Sequence, residues 1–564
     1  VTRARGRGVA TIAAAVVAAG ARLAPTAHAG ATPPTRAAAD TAGVDALFAE
    51  WATRATPGCV VGATRDGRRL FVRAYGMADL SHGVPNAERT VFEAGSVSKQ
   101  FTAAAILLLV DDGRLALDDD VRRHVPELPD HGVRMTIDHL LTHTSGLRDW
   151  SVVTALAGMP RGEHVVTHAD VLDIVARQRQ LNHAPGAHFG YTNTGYGLLA
   201  LIVERVSGRT FADFTRERLF VPLGMTSTGW RDDFRRPVPH RATAYRRAGA
   251  AFAEAMPFES TIGHAGLLTT VDDLLRWNEA LRTERLGAAV TGALRRKVVL
   301  ATGRAVRYGR GLWVDTYAGH AELSHGGTTA GYHAWLGRYP AAGLSVALLC
   351  NAPVDDVALA HRVVDRLLAP RPHAAVAGPT RDAPAVALAP AQVNAMAGVF
   401  VSDVTGLPEI FAVAGATLTN GGEAGRIVSA DRVRFGWGDV VYESRDRIAI
   451  IETTGERRTY RRVDGPAPSV AAMSALAGRY YSRDAAAIYV VGVENGRLAL
   501  RVDGRPTFVL RPAPVGPDVY RTATTLLRVH RAADGGVASL TLSADRVREL
   551  RMEPLAPAAS GAAR

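Results

Sequence analysis

The chain has 564 residues, 47% of them hydrophobic and 21% charged. That is enough for about three domains with buried cores, and the charge fraction excludes wholesale disorder. No apolar run reaches the roughly 18–20 residues of a transmembrane helix, which excludes a polytopic membrane protein. The net charge is +12, yet of 66 basic residues only Lys99 and Lys297 are lysines. Arginine stays protonated at neutral pH, whereas a buried lysine can become a neutral base, so each amine is worth locating. The basic residues form no run interleaved with aromatics, and nothing points to nucleic acid.

Residues 1–29 read as a secretory signal: Arg3, Arg5 and Arg7, a short apolar stretch from Val9 to Gly20, and Ala27-His28-Ala29 as the cleavage pattern. The expected location is therefore secreted or periplasmic, with no membrane span in the mature chain. A basic exported protein is drawn to anionic envelope polymers. Residues 30–43, rich in Ala, Thr and Pro, read as a flexible leader. Cys59 to Tyr75 predicts two strands around an Asp66-Gly67 turn. From Ser96 to about Leu286 helical periodicity dominates, with Phe101, Ala105, Leu108 and Leu109 on one face and Leu198 to Val206 on another. Strand character returns at Tyr308–Thr316, Glu322–Ser324, His333–Tyr339 and Leu344–Leu349, followed by a helix near Val357–Leu368. This order predicts one α/β (α+β) domain over 44–368, with an antiparallel sheet built from both chain ends beside a helical block.

Residues 369–391 are dense in proline and alanine and read as a linker. Beyond it, short strand-like runs such as Tyr489–Gly492, Arg497–Val502 and Thr507–Leu510 predict all-β structure. Ala395–Ser402 matches Ala475–Ser482 at half of its positions, which predicts two similar small barrel-like β domains over 390–467 and 470–556. Residues 557–564 remain as a tail.

Three short motifs carry chemistry. Gly95-Ser96-Val97-Ser98-Lys99 places a hydroxyl and an amine at i and i+3 where an apolar helix begins, so that they share a face. Backbone N–H groups at a helix start suit a developing oxyanion, and a neutral amine can take the hydroxyl proton. Tyr191-Thr192-Asn193 opens a second helix, with a phenol to shuttle a proton and an amide to hold a lysine and a substrate carbonyl. Ser324-His325-Gly326-Gly327-Thr328 precedes an edge-like strand; its glycines let a ligand lie close to the backbone, and the Thr328 N–H faces that of Ser96 as a second oxyanion donor.

Together the motifs resemble the serine β-lactamase and penicillin-recognising family, in its class C-like branch with D-aminopeptidases, DD-peptidases and esterases. Leu140–Leu147 and Gly263–Thr270 also resemble that branch. The resemblance implies acyl transfer, with Ser96 as nucleophile, Lys99 and Tyr191 as base and proton shuttle, and Asn193 positioning a small-molecule or peptide substrate. No metal or cofactor is implied. His325 departs from the pattern, which has a lysine there to bind a substrate carboxylate; histidine is mostly uncharged at neutral pH. The expected function is thus hydrolysis of amides or esters, D-amino acid derivatives among them. The alternative is a penicillin-binding or sensor protein, or a weak β-lactamase or DD-carboxypeptidase with poor turnover. In D-aminopeptidases a loop from a β domain narrows the cleft, but no such loop is identifiable in this sequence.

Cys59 and Cys350 are expected to be buried free thiols. The alternative is a disulfide, since the resembled fold makes the first and last strands neighbours. His164 and His168, at i and i+4, lack the glutamate of a zinc helix and read as structural. Lys297 reads as a solvated base.

Overall fold

The computed structural model describes residues 41–369, 385–452, 457–463 and 465–556. The expected signal, the leader up to residue 40, linker residues 370–384 and the tail lie outside those described residues. Among the described residues no helix is long and apolar enough to cross a membrane.

Six antiparallel strands form the central sheet: β1 (Cys59–Arg65), β2 (Arg68–Tyr75), β3 (Trp313–Tyr317), β4 (His320–Thr329), β5 (Tyr332–Tyr339) and β6 (Leu344–Cys350). Their spatial order is β3-β4-β5-β6-β1-β2, so the two chain ends meet at the β1–β6 pair. The β1–β2 turn is Asp66-Gly67, both at positive φ (50° and 76°), as a tight two-residue hairpin demands. All seven residues of β6 are buried, because helices pack on it.

The helices that matter for the site are α1 (Ser98–Asp111), α2 (Asn193–Ser207), α3 (Val271–Arg282) and α4 (Asp356–Leu367). One apolar face was expected for α1, but every residue from Ser98 to Leu109 is buried. Its Ala103-Ala104-Ala105 run leaves room for neighbours, and such an all-round buried helix belongs at the centre of a domain. The helical block also holds a small sheet, Phe92–Glu93, Leu267–Thr269 and Gly229–Trp230, whose two- and three-residue strands are too short to leave a period in the sequence.

Two further differences bear on function. The expected free thiols are corrected: Cys59 and Cys350 form a disulfide. They face each other in the β1–β6 register with Cα atoms 4.0 Å apart, a juxtaposition that only the long-range pairing creates. Strand β4 is also longer than the expected Glu322–Ser324. It runs through His325-Gly326-Gly327-Thr328, which pair with Leu336, Trp335, Ala334 and His333 of β5. The glycines break the apolar alternation that marks a strand, without breaking the strand itself.

After the linker come two nine-stranded antiparallel sheets. Each follows a short helix (Pro390–Met396 or Val470–Ser474), and each begins with the strand of the repeated sequence, Gly398–Ser402 or Gly478–Ser482. In both, the first strand pairs with the last, and the strand order is the same. The repeat seen over eight residues therefore reflects a repeated topology.

Candidate active site

Ser96 sits in a single helical turn, Gly95–Val97, that leads directly into α1. One helical turn on, Lys99 is fully buried, and its Nζ lies 3.0 Å from Ser96 Oγ. Two other acceptors complete its surroundings: Asn193 Oδ1 at 2.9 Å and the His264 carbonyl at 2.8 Å. Burial pushes the Lys99 amine well below its usual range, and the Arg546 guanidinium pushes the same way, against Asp149. A neutral amine has two N–H donors and one lone pair. With two carbonyl oxygens taking the N–H groups, the lone pair is left for the Ser96 hydroxyl.

Asn193 is the first residue of α2, which Thr192 caps by accepting from the Thr194 N–H. Its backbone N–H donates to Asp149 Oδ2 at 2.7 Å, while Asp149 also caps the helix Trp150–Leu156. One buried carboxylate thus holds two helix starts and fixes the amide that holds Lys99. The Tyr191 ring lies 4.9 Å from Lys99 Nζ. Burial pushes its phenol up, with the Ser96 hydroxyl and Arg546 acting in the opposite sense. Tyr191 is therefore a protonated phenol at neutral pH, and of the two side chains it is Lys99 that offers Ser96 a lone pair.

Among the described residues β4 has no partner on the β3 side beyond Ser324, because β3 pairs only with His320–Ser324. That free edge lies against the serine turn. A Cβ on Gly327 would come 2.8 Å from the Ser96 nitrogen, and one on Gly95 would come 2.8 Å from the Thr328 nitrogen. No side chain fits between the two backbones, so the two N–H groups are drawn together.

His325 is buried, and burial together with Lys99 pushes it down to about 3. Its Nδ1 faces the Gly326 carbonyl at 2.5 Å and must carry the proton, so Nε2 accepts from the Tyr308 hydroxyl at 3.1 Å. Both ring nitrogens are thus satisfied inside the protein. The imidazole is not merely mostly neutral, as its type implies, but locked neutral.

A cavity of about 750 Å³ is lined by Ser96, Tyr191, Asn193 and the Gly326-Gly327-Thr328 edge, with His325 in its wall. Lys99 lies behind Ser96. The eight residues singled out in the sequence therefore gather around one cleft, although they span more than 200 positions. Of the remaining candidates, His164 lies outside the helix His168–Arg177, so it shares no helix face with His168, whose Nε2 accepts from the Ile262 N–H. Lys297 is exposed.

Among the residues that line the cleft and that sequence reasoning missed are two arginines. Arg161 lines it while paired with the buried carboxylate of Glu259. Arg546 comes from the second nine-stranded sheet, on the turn between Val537–Ala544 and Val547–Pro554. Its guanidinium lies 5.0 Å from the Tyr191 ring centroid and 3.6 Å from Asp149 Oδ2. The turn is clipped in place. Asn182 donates to the Arg546 carbonyl at 2.9 Å and accepts from the Arg548 N–H at 2.8 Å. Arg148, fully buried, donates to the Arg548 carbonyl at 2.7 Å and to Asp484 Oδ2 at 2.6 Å. No sequence signal marks Arg546, one arginine among many in a β-rich region.

A family model described as Beta-lactamase matches residues 44–369. A D-aminopeptidase of Cereibacter sphaeroides is 29% identical over 483 residues, 83% of this chain and 88% of that one. Penicillin-binding protein 4* of Bacillus subtilis is 30% identical over 296 residues, 49% of this chain and 64% of that one. Among solved structures, an octameric penicillin-binding protein homologue from Pyrococcus abyssi shares the fold over 82% of this chain and 99% of its own, with a TM-score of 0.53 at 20% identity.

Proposed function

Because the chain belongs to the beta-lactamase family of serine hydrolases, we propose that it hydrolyses amide or ester bonds of small acyl substrates, D-amino acid derivatives among them, through an acyl-enzyme on Ser96. The reading rests above all on the enclosure of Lys99, whose two N–H groups are occupied by carbonyl oxygens and whose lone pair faces Ser96 Oγ. As Oγ attacks the substrate carbonyl carbon, Lys99 Nζ takes the hydroxyl proton. The Ser96 and Thr328 N–H groups receive the oxyanion. The Tyr191 phenol passes a proton to the leaving nitrogen or oxygen and is reprotonated from Lys99. Water then attacks the acyl carbon while giving a proton to the Lys99–Tyr191 pair, and the pair passes that proton to Oγ as its bond to the acyl carbon breaks, freeing Ser96 and the acid.

The locked neutral His325 leaves the third motif without a cation, which favours substrates whose reacting end carries no carboxylate. The D-aminopeptidase relative, aligned over most of both chains, supports the D-amino acid class. The signal pattern of residues 1–29 supports action outside the cytoplasm, where the basic surface meets anionic envelope polymers. One observation favours a second reading, a penicillin-binding or DD-carboxypeptidase-like protein with slow turnover: Arg546 brings a guanidinium to the cleft, beside Tyr191.

A panel of a D-alanyl anilide, a short-chain aryl ester, a chromogenic cephalosporin and an acylated D-Ala-D-Ala peptide separates the two. The first reading expects turnover of the first two substrates. The second expects one equivalent of acylation by the cephalosporin and little beyond it. Ser96→Ala should abolish turnover and covalent labelling by an acylating probe; labelling at the wild-type rate would sink both readings.

A further inference from the structure

The two nine-stranded sheets border a second cavity, of about 250 Å³, that shares no lining residue with the catalytic cleft. Its floor is apolar. Val401 and Leu526, both buried, belong to a small cluster that Val463 joins. Gly406, at φ +70°, brings the loop after Ser402 against Ser543 so closely that a Cβ there would lie 3.1 Å from its Oγ.

The charges around this floor do not cancel. Asp403 is already occupied: Oδ1 accepts from Arg461 Nε at 2.8 Å, and Oδ2 accepts from the Thr459 hydroxyl at 2.9 Å. Glu549 has its own arginine, Arg548, at 3.8 Å. Arg462 donates to the backbone carbonyls of Ala395, Ala397 and Arg445, which hold its guanidinium in place. One lining guanidinium remains. Arg528 lines the cavity from the strand Thr525–Arg531, half-buried, and among the described residues its guanidinium has no hydrogen bond or ion pair. Arg548 adds a buried Nε without an acceptor. On the neighbouring strand Thr541 pairs with Arg528 and Ser543 with Leu526, which sets hydroxyls beside the guanidinium and the floor. Ser543 Oγ accepts from the Glu549 N–H at 3.0 Å, so its own proton is free to be donated.

We propose that this cavity binds a small organic oxyanion, a carboxylate or phosphate borne on a short apolar group, with Arg528 as its principal counter-charge. A planar guanidinium with all its donors unspent is suited to such a group. The volume holds a ligand of a few heavy atoms, and the valine and leucine floor takes the apolar part. The site stands apart from the reaction at Ser96 and does not depend on which substrate is hydrolysed.

Calorimetric titration of the full chain at physiological salt tests it, with inorganic phosphate and 4-methylpentanoate as probes. Ser96 is acylated beforehand, so that the catalytic cleft is closed to both. One equivalent of at least one probe should bind, and the stronger probe tells phosphate from carboxylate as the preferred group. Arg528→Gln should weaken that binding by roughly tenfold or more while aryl ester hydrolysis stays at the wild-type rate, which reports an intact fold. Equal binding to wild type and Arg528→Gln, or no binding of either probe, overturns the proposal.

Discussion

The two nine-stranded sheets have the same strand order and begin with similar short sequences, yet they stand differently toward the catalytic cleft. In the second, the turn before the last strand is held by Asn182 and Arg148 and carries Arg546 to the rim of the catalytic cleft. The first lines the seam cavity and contributes no residue to that cleft. A repeated topology therefore does not imply a repeated role. The difference comes from how the second sheet docks: Asn182 and Arg148 clip that turn, Tyr489 donates to the Leu156 carbonyl, and its buried apolar residues share one cluster with the hydrolase core.

Four substitutions sharpen or break this contrast. Lys99→Arg sets the scale for the groups that do the chemistry: a guanidinium has no lone pair to offer at neutral pH, and kcat should fall by about 10³–10⁴-fold. Full activity would remove lysine from the mechanism. Arg148→Ala strikes the clip itself. It strands Asp484 and two backbone carbonyls in a buried setting, and should cost about 3–5 kcal/mol in denaturant unfolding. A loss within error of zero would mean that the second sheet is not docked through this residue. Arg546→Ala is milder. It leaves the fold intact and should lower kcat/KM by about tenfold, because one cation near the reacting groups is gone. Phe411→Ala, in the core of the first sheet, should cost about 3–5 kcal/mol in stability and leave kcat per folded molecule unchanged. A fall in kcat there would erase the difference between the two sheets.

What the sequence disclosed followed the range of the interactions. Ser96 and Lys99 are one helical turn apart, and Tyr191 and Asn193 flank a helix cap, so local spacing makes each pair legible, while the Lys99–Asn193 contact that joins the pairs is tertiary. The reach of β4 through Gly326-Gly327 was hidden, because glycine reads as an interruption even where extended backbone continues. Asp149 stands two residues after the recognisable Leu140–Leu147 stretch, but nothing local says that its carboxylate will cap Asn193. Arg546 and the Cys59–Cys350 bond depend on contacts across hundreds of residues, and no periodicity encodes those. His325 marks an intermediate case. The residue type foretold a weak charge, whereas the locked tautomer needed the position of Tyr308.

The proposed mechanism needs Lys99 to be a neutral base at working pH, held so by burial and by the nearby Arg546. Its direct test is the rate of Ser96 acylation by a neutral active-ester probe as a function of pH, followed by intact-protein mass spectrometry. Protonation of Lys99 removes the lone pair, so the rate should fall on the acid side through a single limb lying well below the ordinary lysine value of 10.5. A neighbouring cation disfavours the ammonium form, so Arg546→Ala should move that limb to higher pH. A wild-type rate that rises only near the pKa of a free lysine, or a limb unmoved in the variant, would contradict the account.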